Sequence, residues 1–257
     1  MLALNKTLNK EKLYMRDYLL DIVSHTYDLG IIDTIKITGT GSATSIDALA
    51  EDRSVVIQGE VNAPIAEFEG TFGMPNLSKL KVLIGIQEYK ENAKITVKRQ
   101  DRNGEPTPVG LHFENDVGDF KNDYRFMTSE IINEKLKTAK FKGANWQIEF
   151  EPTNASIMRL KMQAAANSEE LHFRAKTVDG DLKFEFGDHS THAGEFVFQA
   201  DVNGVLKRNW SWPVAQFISI LSLVGDKKVQ ISDDGAAQII VDSGLATYKY
   251  ILPAQSK

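Results

Sequence analysis

Few residues in this 257-residue chain are of types and spacings that could do covalent chemistry. His189 and His192 lie close together in Gly187-Asp188-His189-Ser190-Thr191-His192. Two imidazoles and a carboxylate are metal-ligand types. No third or fourth ligand follows nearby, so the segment reads as an exposed loop between strands. Gly39-Thr40-Gly41-Ser42 is glycine-rich but lacks the lysine that reaches phosphates in a P-loop, and it reads as a hairpin turn. No G-x-S-x-G elbow occurs. The acid pairs Glu51-Asp52, Glu169-Glu170 and Asp233-Asp234 fall at turns. The absence of cysteine excludes disulfides, thiolate metal sites and cysteine nucleophiles. A non-enzymatic protein without a cofactor or metal is expected.

The other chemistry available is charge. The formal net charge is −5, which excludes a globally basic nucleic-acid binder but not a local basic face. Candidate phosphate-contacting residues are Lys10, Lys12 and Arg16 on a first helix, Lys79 and Lys81 on a second, and Arg159 and Lys161 on a third. Lys207 and Arg208 lie in a loop near a fourth helix that carries no charge of its own. Asp17 and Asp21 dilute the first helix.

These residues must be positioned by the elements that carry them. Leu8, Met15, Leu19, Ile22 and Val23 recur at helical spacing, with Gly30 as a stop. Strand patterns follow at 35–38, 54–61 and 68–72, and Pro75 opens a second helix. Strands resume at 94–99, 110–113 and 124–127. Residues 128–143 are charged and weakly periodic, and read as a connector. Beyond it come a strand at 146–150, a helix from Pro152 to Ala166, strands at 171–177 and 182–186 around an Asp179-Gly180 turn, and a strand at 195–202. A helix at 213–224 and strands at 228–232, 237–242 and 246–252 complete the order.

That order is an internal repeat. Gly73-Met74-Pro75 before NLSKLKVLIGI parallels Ser211-Trp212-Pro213 before VAQFISILSLV, 138 residues on. At this offset Leu83 overlies Leu221 and Ile86 overlies Val224. The expected organisation is α+β, with one domain at 1–127, the connector at 128–143 and a second domain at 144–257. The longest apolar run, near 214–224, is too short to span a bilayer. No secretory signal pattern opens the chain, so a cytoplasmic protein is expected.

Trp212-Pro213-VAQFISILSLV, GDKKVQISDDGAAQIIVDSG and the closing Ala246-Thr247-Tyr248-Lys249-Tyr250-Ile251-Leu252-Pro253-Ala254 resemble the last helix and three-strand ending of DNA sliding clamps of the PCNA type, closest to those of bacteriophages. The first half matches in order and spacing. The resemblance implies two tandem clamp-type domains, with antiparallel sheets outside and two helices per domain on the inner face. It implies a homotrimeric ring around duplex DNA, held by phosphate contacts without base readout. The ring would tether a DNA polymerase and be opened by a clamp-loader ATPase, in the cytoplasm of a bacterial host if phage-encoded. It also implies a pocket for partner peptides, at Ile131 and Ile132 of the connector and Ile251, Leu252 and Pro253 near the C-terminus. Two other readings fit the same sequence: a monomeric clamp-like processivity factor, and a β-rich virion or assembly protein.

Overall fold

The computed structural model describes residues 14–102, 104–137, 141–188, 190 and 192–255. The first helix described in each half buries its apolar residues. In α1 (Met15–His25) the buried residues are Leu19, Ile22, Val23 and His25. In α4 (Asn154–Ala166) they are Ile157 and Leu160, each 138 residues beyond Leu19 and Ile22. A 3-10 turn at Tyr27–Leu29 ends on Gly30, whose φ of 77° is the left-handed stop read in the sequence.

The first half continues with β1 (Thr34–Gly39), β2 (Thr44–Leu49), β3 (Val56–Val61), β4 (Gly70–Pro75), α2 (Leu77–Gly85), β5 (Lys94–Arg102), β6 (Glu105–Glu114) and β7 (Lys121–Arg125). A short helix α3 (Ser129–Lys135) follows within the connector segment. The second half holds β8 (Ile148–Phe150), α4, β9 (His172–Val178), β10 (Asp181–Gly187), β11 (Ala193–Gln199), β12 (Ser211–Pro213), α5 (Val214–Leu221), β13 (Asp226–Ser232), β14 (Ala236–Asp242) and β15 (Ala246–Pro253). Asp179 and Gly180 both have positive φ, the geometry of a two-residue hairpin turn.

The repeat is written into the hydrogen-bond register. Thr34 opposes Pro75 as His172 opposes Pro213, 138 residues on. Ile35 opposes Ala48 as Phe173 opposes Phe186, and Ile37 opposes Ile46 as Ala175 opposes Phe184, at the same offset. The bridge from Gly73 to Met127 has its counterpart between Ser211 and Gln255.

Two expectations require correction. Pro75 does not open α2; it ends β4, and Asn76 caps the helix, its side chain accepting from the Lys79 amide. Pro213 likewise ends β12 and stands immediately before α5. Asn76 sits at φ 54° as one extra residue between strand and helix. The helices therefore match at an offset of 137. Leu77, Leu80, Leu83 and Ile84 are buried where Val214, Phe217, Ile220 and Leu221 are, so Leu83 corresponds to Ile220, not Leu221.

Three sheets form. One runs β4-β1-β2-β3-β15-β14-β13-β8, joining the halves through β3 and β15. The others are β11-β10-β9-β12 and β5-β6-β7. The buried apolar residues make a core that runs through both halves beneath the helices. α3 lies on the opposite sheet face. Phe72 and Met74 of β4 point into the core, while a side chain at Gly73 between them would meet Ile132 at 2.9–3.0 Å. Only glycine lets α3 seat so closely.

Candidate nucleic-acid interface

α1 and α2 pack together in the first half, and α4 and α5 in the second. The basic residues read from the sequence have separate fates on this layer. Lys10 and Lys12 lie outside the described residues. Arg16 is half-buried, and its Nε and Nη2 donate to the Ile84 carbonyl at 3.1 and 3.0 Å. A cation there satisfies an orphan carbonyl at the end of α2 and complements the helix dipole. Arg16 thus ties the two helices together.

Lys81 is exposed and pairs with Asp28 at 2.7 Å, which raises its pKa. Its ammonium also stands 5.7 Å from the centre of the Tyr27 ring. Asp28 and Lys161 share a cleft of about 450 Å³ with Ser24, Ser219 and Ser222, where the two halves meet on the helix layer. Lys79 is exposed, and neither it nor Lys161 has an ion-pair partner among the described residues. The Arg159 guanidinium stacks over Phe196 at 5.5 Å.

Lys207 and Arg208 lie apart from α5. Their amides bind the Asp233 carboxylate at 3.0–3.1 Å, against the β13–β14 turn. α5 carries no charge, as its sequence reads. Apolar residues are exposed on the same helices: Leu20, Val82, Met158 and Met162, with Val224 just past α5. The layer thus carries Lys79, Arg159 and Lys161, with Lys81 held by Asp28. Its basic residues are sparse.

The five expected pocket residues divide between two faces. Ile132 is fully buried with Leu136, packed against Leu49, Val56 and Met127. Ile251 opposes Val56 across β15 and β3, and so shares that face. Leu252 points the other way, into the main core beneath the helices, and is not a pocket residue. Ile131 and Pro253 are exposed. Leu49, Val56, Met127 and Leu136 were not apparent from the sequence. Leu49 and Val56 matter only because β2 and β3 pair, and Leu136 only because α3 folds.

His189 lies outside the described residues, while Asp188 and His192 are exposed. Among the described residues no three His, Asp or Glu side chains are grouped as a metal site. None of their helices is long and apolar enough to cross a membrane.

No family model matches the chain, and no curated protein matches its sequence. Solved structures do match in shape. The chain of PCNA from A. fulgidus, solved with the C-terminal region of FEN-1 bound, superposes with a TM-score of 0.65 at 11% identity, over 94% of this chain and 95% of that one. PCNA from Thermococcus kodakaraensis superposes with a TM-score of 0.61 at 13% identity, over 92% and 97%. With the register repeat and the shared helix layer, these matches establish that the chain has the α+β, two-domain fold of a PCNA-type sliding clamp.

Proposed function

We propose that this chain is the subunit of a ring-shaped sliding clamp that encircles duplex DNA and tethers a DNA polymerase. The observation that carries the reading is the joint between β3 and β15. β11 holds the place in the second half that β3 holds in the first, at the end of its four-stranded sheet. β7 holds the place of β15, as third strand of its meander. Within the chain β3 and β15 pair. Among the described residues, β7 and β11 have a hydrogen-bonded neighbour on one side only. A second copy would close these edges by repeating the internal joint, and ring closure would leave neither edge exposed.

The repeat also gives the register. Phe184 opposes Phe196 as Ile46 opposes Gly59, so Phe196 stands for Gly59. The turn-end pair Glu114–Lys121 stands for Asp242–Thr247. Val197 of one subunit then faces Lys121 of the next, and Ala193 faces Arg125. Glu195, which Lys176 and Lys183 neutralise within its own subunit, then stands directly opposite Asp123, with the two cations on the diagonals. Three subunits are proposed by analogy with the clamp fold.

The sparse basic layer supports encirclement over direct tight binding. A ring holds DNA by topology and needs only weak phosphate contacts to slide. The tethered polymerase rebinds at high effective concentration. A clamp-loader ATPase would open the ring, and the connector face around Ile132 and Ile251 would seat partner peptides beside Ile131 and Pro253. The domain division at 128–143, the non-enzymatic role and a cytoplasmic location belong to the same proposal. The test is retention on DNA. A ring loaded on circular DNA stays bound and slides off once the circle is cut. Loader-independent, steeply salt-dependent binding to linear DNA would instead support the monomeric factor.

A further inference from the structure

His25, on the last turn of α1, is 4% exposed. Its Nε2 lies 2.9 Å from the carbonyl oxygen of Val224, in the turn after α5. Its Nδ1 lies 2.9 Å from the Asp21 carbonyl and 3.2 Å from the Asp21 carboxylate. Ser24 Oγ is 3.1 Å from the same nitrogen, but its hydroxyl donates to the Asp21 carbonyl at 2.9 Å. The ring stacks on Tyr248 with centroids 4.8 Å apart and planes within 4°. The Tyr248 hydroxyl donates to the other Asp21 carboxylate oxygen at 2.8 Å, and the Tyr250 hydroxyl donates to the His25 carbonyl at 2.7 Å. One first-half helix is thereby fastened to the second half at both the α5 turn and β15.

Carbonyls and carboxylates only accept hydrogen bonds. Both ring nitrogens face such oxygens, so the environment selects the doubly protonated ring. Burial pulls the His25 pKa down. The Asp21 carboxylate and the carbonyls of Val224 and Asp21 outweigh it and hold the group above its ordinary value. Around it stand Tyr248 and Tyr250, whose phenols burial keeps neutral. Lys161 of α4 and Asp28 line the adjoining cleft, and Lys81 of α2 holds Asp28. Beyond Val224 lie Asp226 and Lys227 on β13, with the Lys227 ammonium donating to the Gly225 carbonyl.

We propose that His25 is a charge-dependent bolt between the halves, fastening α1 to the α5 turn and β15 while its ring is protonated and releasing them when the proton leaves. Loss of the Nδ1 proton breaks the hydrogen bonds to the Asp21 carbonyl and carboxylate, and the one donor within reach of the bare nitrogen, the Ser24 hydroxyl, must give up its own bond to the Asp21 carbonyl to replace them. Because the folded group binds its proton more tightly than the unfolded one, the contribution is complete below about pH 6.5. It is lost as pH rises through the folded value. If the chain is a ring subunit, this bolt stiffens the bend inside each subunit, a role that rests on the clamp reading; the bolt itself does not.

Nuclear magnetic resonance titration of the full chain, with amide hydrogen exchange at 222–226 and 246–250, tests it. The expected His25 midpoint lies above the ordinary value, and protection of both segments falls through that same midpoint. Each unit of upward shift corresponds to about a tenfold change in the protonation equilibrium between folded and unfolded states. Asp21→Asn, which keeps the shape and removes the charge, should lower the midpoint and flatten the pH dependence of protection. Tyr248→Phe should lower neither as far. A midpoint at or below the ordinary value, wild-type protection that ignores pH, or an Asp21→Asn profile parallel to wild type would overturn the proposal. None of these results depends on ring formation.

Discussion

The two halves share one frame and fill it differently. Ile35, Ile46, Ala48 and Met74 occupy the core of the first half. At the matching register the second half carries Phe173, Phe184, Phe186 and Trp212. Leu80 of α2 becomes Phe217 of α5. The second core is a web of rings: Phe184 stacks on Phe198 at 4.4 Å, Phe173 lies 4.3 Å from Phe184, and Phe217 meets both edge-on. The backbone register survived this exchange of aliphatic for aromatic volume. Register is set by which face is buried and by the turns, and shape fills in afterwards.

This contrast can be broken from either side. The largest effect is expected for Phe184→Ala, which removes a ring in contact with four other aromatic side chains. It should cost about 3–5 kcal/mol in denaturant unfolding. The reverse exchange, Ile46→Phe, puts the second half's ring into the first half's space. It should cost about 1–3 kcal/mol by overpacking, because Ala48 and Gly59 come without the compensating neighbours. Equal costs at the two sites would mean that the halves are not packed differently. The smallest effects belong to the surface. Replacing Lys79 or Lys161 with alanine should leave stability within about 0.5 kcal/mol. Each should lower the salt dependence of DNA association by about one phosphate contact, measured as the slope of binding against salt concentration.

Much of the frame was legible in the sequence because it rests on periodicity. Leu19, Ile22 and Val23 announce α1, and the Pro75 and Pro213 segments announce the repeat. β2 escaped notice because Thr44-Ser45-Ile46-Asp47-Ala48-Leu49 alternates with small and polar residues, and its buried Thr44 and Ala48 look unremarkable in one dimension. β12 is three residues long and ends in proline. α3 was hidden by its charges, since only Ile132 among its residues is buried. The one-residue slip at Asn76 has no pattern of its own; it shows only when burial on α2 and α5 is compared.

The candidate site was less legible for a physical reason. Charge type can be read from sequence, but availability cannot. Arg16 looks like a phosphate ligand and serves as a helix tie. Lys81 is claimed by Asp28, more than fifty residues away. Leu252 and Ile251 are neighbours in sequence and point to opposite faces, as adjacent strand residues must. The His25 joint reaches across 199 residues to Val224, a distance that no local spacing encodes.

The central claim is that the β3–β15 joint inside one chain is repeated between chains by β11 and β7. The chain has no cysteine, so introduced thiols report only on their own positions. The most direct measurement is the mass of the Arg125→Cys/Ala193→Cys variant after mild oxidation. The account predicts a closed covalent species of three times the 28.7 kDa subunit, abolished when Ala193→Cys is combined instead with a cysteine at Lys121. Monomer alone, or cross-links indifferent to which pair is chosen, would contradict it.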